Sequence, residues 1–162
     1  MNNIFENIKW TPKWRIIKYS SQEAKNKEVI LEIKEIDGNI LCNEGINEIL
    51  KTISSSEGTK YDNTNAYLIV GTGETSAQAT DTEGTFTAGV KQGMVEGYPQ
   101  AGSDQKITWK ASYDGTTANQ DWKEFGVLNA ETSGKLLNRK VDNQGTKIEG
   151  QVWELELEIT LS

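Results

Sequence analysis

Three stretches of this 162-residue chain gather side chains whose types and spacing suggest chemistry. Near the C-terminus, Glu154, Glu156 and Glu158 alternate with Trp153, Leu155, Leu157, Ile159 and Leu161, with Thr160 closing the polar row. Paired carboxylates can share general acid and base work, but here they repeat along one strand at a spacing of about 7 Å. Glycosidase carboxylates face each other across a groove. The row therefore reads as a solvated strand face, or as an acidic stripe for a basic partner. The segment Asp114-Gly115-Thr116-Thr117-Ala118-Asn119-Gln120-Asp121 collects oxygen ligands. It lacks the spacing of a calcium loop and reads as a hydrated β-turn. The third stretch, Gly71-Thr72-Gly73-Glu74-Thr75-Ser76, has the look of a phosphate-binding turn. Ser76 stands where a dinucleotide fingerprint needs its third glycine, no P-loop lysine follows, and the next residues are not an amphipathic helix. A glycine-rich turn is the better account.

The missing residue types exclude more. The chain has no histidine, hence neither the commonest general base nor the commonest metal ligand. Its single cysteine, Cys42, permits no internal disulfide and no Cys/His zinc site. Flanked by Ile40 and Leu41, it reads as a buried, inert thiol. No catalytic residue, metal or cofactor is expected, and the chain reads as non-enzymatic. The formal net charge is −7, and all of the acidic excess lies beyond residue 60. An acidic body repels phosphate backbones, so no nucleic-acid partner is expected. The basic residues Lys9, Lys13, Arg15 and Lys18 read as one solvated strand face. No apolar run approaches the roughly 20 residues of a membrane span. The N-terminus has neither the basic region nor the apolar stretch of a signal peptide, so synthesis in a cytoplasm is expected.

The elements that must position these residues are mostly strands. Alternation over 153–161 defines one, and 106–113 repeats it with Ile107, Trp109, Ala111 and Tyr113 on one face. Residues 14–19 and 28–36 read as a hairpin across the polar turn 20–27. Residues 66–70 suit a central strand, and 123–128 with 135–141 read as a second hairpin. One helix is predicted over 44–53, from apolar Ile46, Ile49, Leu50 and Ile53 at helical spacing, with Asn43 as its N-cap. Residues 71–103, rich in Gly, Thr and Ser, read as a long loop or arm with at most one short strand. Five Trp, five Tyr and three Phe supply the bulk of a core. The predicted fold class is mainly β: a single β-sandwich or jelly-roll-like domain over 14–162, with residues 1–13 as an N-terminal arm.

A set of short blocks carries a resemblance. In order they are LCNEGINEIL (41–50), YDNTNAYLIV (61–70) with Gly71-Thr72-Gly73, MVEGYPQ (94–100), KITWKASY (106–113), ANQDWKEFGV (118–127), LLNRKVDNQGT (136–146) and the closing WELELEITLS. Together they resemble a group of small bacteriophage virion proteins, across most of residues 14–162. Cys42 stands where that group has an aliphatic residue. The resemblance implies a non-enzymatic particle component, with a capsid decoration (cementing) protein as the favoured reading. It further implies a homo-oligomer, with a trimer favoured, a major capsid protein as partner, and residence in the virion. A tail tube, baseplate or fibre component is the alternative, and a carbohydrate-binding β-sandwich module the second. Ile4, Phe5, Ile8, Trp10, Met94 and Tyr98 are the candidate interface residues, from the arm and the long loop.

Overall fold

The alternation at the C-terminus becomes a ten-residue strand at the middle of one sheet. The computed structural model describes residues 8–102 and 104–162. Among the described residues the strands are β1 (Trp10–Tyr19), β2 (Glu32–Asp37), β3 (Ile40–Leu41), β4 (Tyr67–Gly71), β5 (Val90–Gly93), β6 (Gln100–Ala101), β7 (Lys106–Tyr113), β8 (Glu124–Leu128), β9 (Leu136–Val141) and β10 (Val152–Leu161). The helices are α1 (Gln22–Asn26) and α2 (Asn43–Ser54), and Glu83–Thr85 forms a 3-10 turn.

Two five-stranded antiparallel sheets pack as a sandwich. The terminal sheet runs β2-β1-β10-β7-β6 and the mid-chain sheet β3-β9-β8-β4-β5. Both expected hairpins form: β1 pairs with β2, and β8 with β9. α1 occupies the expected turn 20–27, capped by the Ser21 hydroxyl, which accepts from the Ala24 N–H. Inward-facing Trp14, Ile16, Trp109, Ala111, Tyr113, Leu155, Leu157 and Ile159 meet Leu68, Val70, Phe125 and Val127 from the other sheet. Trp109 and Trp153 are core residues, as their alternating positions predict. Aromatic edges bridge the layers, Trp14 on Phe125 at 4.9 Å and Trp122 between Tyr113 and Trp153 at 4.8 and 5.0 Å. The Tyr113 hydroxyl donates to the Leu68 carbonyl at 2.7 Å, so its polar end is satisfied inside the core.

Several expectations change. Strand β1 starts at Trp10, so Trp10–Lys13 are part of the terminal sheet rather than of an arm; residues 1–7 lie outside the described residues. Strand β2 starts only at Glu32, which leaves Val29–Leu31 outside it. Among the described residues there are two helices instead of one, and Cys42, with no side-chain cap, precedes α2 where Asn43 was expected to. The apolar stripe of α2 is not its buried face. Gly45 and Glu48 are buried, while Ile46, Leu50 and Ile53 are exposed. The reason is contact distance: a Cβ on Gly45 would lie 2.5 Å from Leu137 Cα, so the helix backbone rests directly on β9.

The long segment 71–103 differs most from its reading. It contributes β5, β6 and the 3-10 turn, and its first half covers the outward side of the mid-chain sheet. There Ile69, Leu128, Leu136 and Cys42 form a second small core, with Phe86 and Tyr67 packed against it. At the other end of the sheets, Gly38, at φ +78, makes the turn that carries the chain from β2 across to β3.

Candidate functional site

Three groups of charged or polar side chains are closed on themselves. Beneath the segment 72–89, Glu124 of β8 is fully buried. Its Oε1 accepts the Gly73 and Thr87 N–H groups at 2.8 and 2.7 Å, and its Oε2 accepts Arg139 Nη2 at 2.6 Å. Arg139 Nη1 reaches Asp81 at 2.8 Å, and its guanidinium lies 5.5 Å from the Phe86 ring. The glycine-rich turn thus holds an internal carboxylate, and Gly71 and Gly73 are there because a Cβ at either would come within 2.6 Å of Glu124 Oε1. Cys42 lies in the same layer, and burial, reinforced by Asp81 and Glu44, pushes its thiol up to about 12, far from a thiolate at neutral pH.

The loop at 114–121 is likewise filled from within. The buried Lys147 ammonium donates to the Asp114 carbonyl at 2.6 Å and to Asn119 Oδ1 at 2.7 Å. Asp114 Oδ1 accepts from the N–H and hydroxyl groups of Thr116 and Thr117, which hold its carboxyl down to about 2. No grouping of three or more Asp, Glu or Cys residues suited to a metal occurs among the described residues.

The glutamate row of β10 faces outward, as its alternation requires, but it is not simply solvated. Glu154 is buried and pairs with Lys25 and Lys110 at 2.9 Å; Glu156 pairs with Lys110 at 2.9 Å and Arg15 at 3.6 Å; Glu158 pairs with Lys106 at 3.0 Å. Burial alone would raise the Glu154 carboxyl, but hydrogen bonds from Lys110 and Lys25 bring it below its ordinary value. The predicted basic patch is divided: Arg15 and Lys13 face this row and Glu35, while Lys18 is buried over the Trp153 ring and pairs with Glu32 at 2.7 Å.

One open hollow is largely apolar. At one end of the sandwich, Trp10, Ile49, Tyr61, Pro99, Trp109 and Leu161 line a groove of about 360 Å³. The polar atoms of its aromatic walls are already bonded: Trp109 Nε1 donates to the Tyr61 carbonyl at 2.8 Å, and the Tyr61 hydroxyl to the Lys135 carbonyl at 3.0 Å. Burial pushes the Tyr61 phenol upward, so it stays neutral. Lys60 and Asp62 also line it, but the walls are otherwise apolar and suit an apolar side chain. Ile49 links it to α2, whose Leu50 and Ile53 (77% exposed) extend the apolar surface outward.

Of the predicted interface residues, Trp10 lines this groove, and Tyr98 precedes its lining residue Pro99. Ile8, two residues before Trp10, is 81% exposed. Met94 is half-buried against the main core, and the Lys110 ammonium lies 5.9 Å from the Tyr98 ring. Ile4 and Phe5 lie outside the described residues.

No protein-family model, curated protein sequence or solved structure matches this chain.

Sequence reading does not single out Tyr61, and it reads Ile46, Ile49, Leu50 and Ile53 only as helical spacing; that Ile46, Leu50 and Ile53 are exposed follows from Gly45 resting against β9.

Proposed function

We propose that this protein is a non-enzymatic structural component of a bacteriophage particle, most specifically a decoration protein that binds the outside of the capsid shell as a homo-oligomer, a trimer in the favoured reading. One observation carries the proposal: the charged clusters of the described residues are spent on internal pairing, whereas the groove at Trp10 and Tyr61 and the adjoining α2 face are apolar and open. Contiguous exposed apolar surface of this kind marks a protein contact. The resemblance of the sequence blocks to small virion proteins supports the same class and names the partner it implies, the major capsid protein.

The test is co-sedimentation of the purified protein with empty heads of the phage that encodes it. Saturation at a fixed ratio per shell, lost in Leu50→Asp and in Ile53→Asp while both variants keep wild-type circular dichroism, is the expected result. Association with tails instead of heads would overturn the decoration reading in favour of a tube, baseplate or fibre component. Binding to a saccharide panel, with no binding to particles, would move the protein to the carbohydrate-binding alternative.

A further inference from the structure

The terminal sheet ends in a strand built to be paired. β2 is its outermost strand, bonded to β1 on one side. The run Val29-Ile30-Leu31 that enters it is exposed, Leu31 at 60%, and so is Ile33 at 41%. Monomeric sandwiches protect such an edge with charged side chains, a proline, a bulge or a covering loop. β2 carries Glu32, Lys34, Glu35 and Asp37 but no proline, its charges are of both signs, and its register with β1 is unbroken from Glu32 to Asp37.

The direction of its backbone groups follows from the register. Lys9 and Ser162 exchange both main-chain hydrogen bonds, so the odd residues of β1 bond to β10. The even residues then bond to β2, as the Gly38 N–H to Pro12 carbonyl bond confirms. The partners of those even residues are Glu32, Lys34 and Ile36. The N–H and C=O groups of Ile33 and Glu35 therefore point to the free edge.

We propose that β2 pairs antiparallel with β2 of a second copy of this chain, about a two-fold axis at Ile33, joining two terminal sheets into one. Antiparallel strands related by a two-fold axis normal to the sheet place residues of the same face opposite each other, so the axis must fall on a residue. An axis at Lys34 sets two ammonium groups face to face, and an axis at Glu32 or Glu35 sets two carboxylates face to face. With the axis at Ile33, Glu32 opposes the second copy's Lys34, Ile33 meets its own copy, and the two Ile33 residues exchange main-chain hydrogen bonds. The Leu31 N–H donates to the Lys18 carbonyl of its own chain at 2.8 Å, so the pairing begins at Glu32. The strand is thus self-complementary in charge and in the Ile33 backbone groups in this register and in neither adjacent one.

This contact does not depend on what the particle surface of the protein binds, and it is tested on the purified full-length chain alone. Light scattering over a concentration series reads the mass, and mild oxidation of Ile33→Cys and Glu35→Cys variants reads the register; the native Cys42 is buried and does not interfere. The expected result is an even-numbered assembly in which Ile33→Cys cross-links into a covalent dimer and Glu35→Cys does not. Ile33→Lys, a change at an exposed site that sets two ammonium groups on the axis, is expected to halve the mass and leave the circular dichroism spectrum in place. A chain that stays monomeric at every concentration overturns the proposal. So does an oligomer that Ile33→Lys leaves intact, or one that cross-links to the same extent in the Ile33→Cys and Glu35→Cys variants and in a Leu50→Cys control.

Discussion

The outward faces of the two sheets carry similar charged residues and treat them in opposite ways. On the terminal sheet, Glu154, Glu156 and Glu158 point outward beside Lys25, Lys110, Arg15 and Lys106, each pair bridging neighbouring strands or α1. On the mid-chain sheet, Glu124 and Arg139 are covered by the segment 72–89, and that segment is fastened to them through Gly73, Asp81 and Thr87. Pairs open to solvent, such as Glu158–Lys106, add little individually, and on this face Glu154 alone is buried among its cations. A covered pair is costly to desolvate, and it persists because both Glu124 oxygens and all three guanidinium nitrogens of Arg139 have partners. The ionic cluster takes the role that apolar contacts would have had in a segment with few large side chains.

The contrast predicts a graded set of losses in denaturant unfolding. The largest belongs to Arg139→Met, which leaves the Glu124 carboxylate buried without its cation; about 3–5 kcal/mol of stability is expected to go, with early proteolytic cleavage within 72–89. An uncut segment in that variant would mean that the ionic cluster is not what holds the cover down. Next is Gly71→Ala. Its Cβ would sit 2.6 Å from Glu124 Oε1 and 2.7 Å from the Thr87 carbonyl, and overpacking of that kind costs about 1–3 kcal/mol.

The face without a covering segment should respond less. Glu154→Gln weakens the hydrogen bonds from Lys25 and Lys110 and is expected to cost about 1 kcal/mol at neutral pH. Because the folded Glu154 carboxyl lies below its unfolded value, the unfolded chain binds more protons in the acid range. The stability it contributes is full above the unfolded carboxylate value and fades as pH falls through the folded one. The penalty of Glu154→Gln should therefore shrink when unfolding is repeated near pH 3; an unchanged penalty would assign Glu154 a packing role alone. Smallest is Glu158→Gln, whose pair with Lys106 is solvated and should change stability by less than about 0.5 kcal/mol.

Strand positions were legible where one face of a strand is apolar. The buried faces of β7 and β10 follow from the alternation of Ile107–Tyr113 and Trp153–Ile159, because a slip of one residue would bury the charged row; that the two strands pair, and which residues stand opposite, came from the structure. The hairpin of β8 and β9 was legible from its turn. The covering role of 71–89 was not, since a sequence window around Gly73 contains neither Glu124 nor Arg139, which arrive from strands much later in the chain. Trp10 stood out in the sequence as an apolar residue near the N-terminus, but the groove it lines needs Tyr61, Pro99 and Leu161 from three other segments.

The sequence by itself determined the class of the protein's architecture. Period-two alternation can be satisfied only by strands with a buried face, and a chain without histidine or a second cysteine cannot build Cys/His metal centres. The tertiary structure decided which charges are hidden and which apolar residues are not. Gly45 lets α2 lie so close to β9 that its own backbone fills the contact and its apolar stripe turns to solvent. Glu124, by contrast, is buried because N–H groups and a guanidinium from distant segments converge on it. Local pattern sets which face of an element is apolar; whether that face is covered depends on what the rest of the chain brings to it.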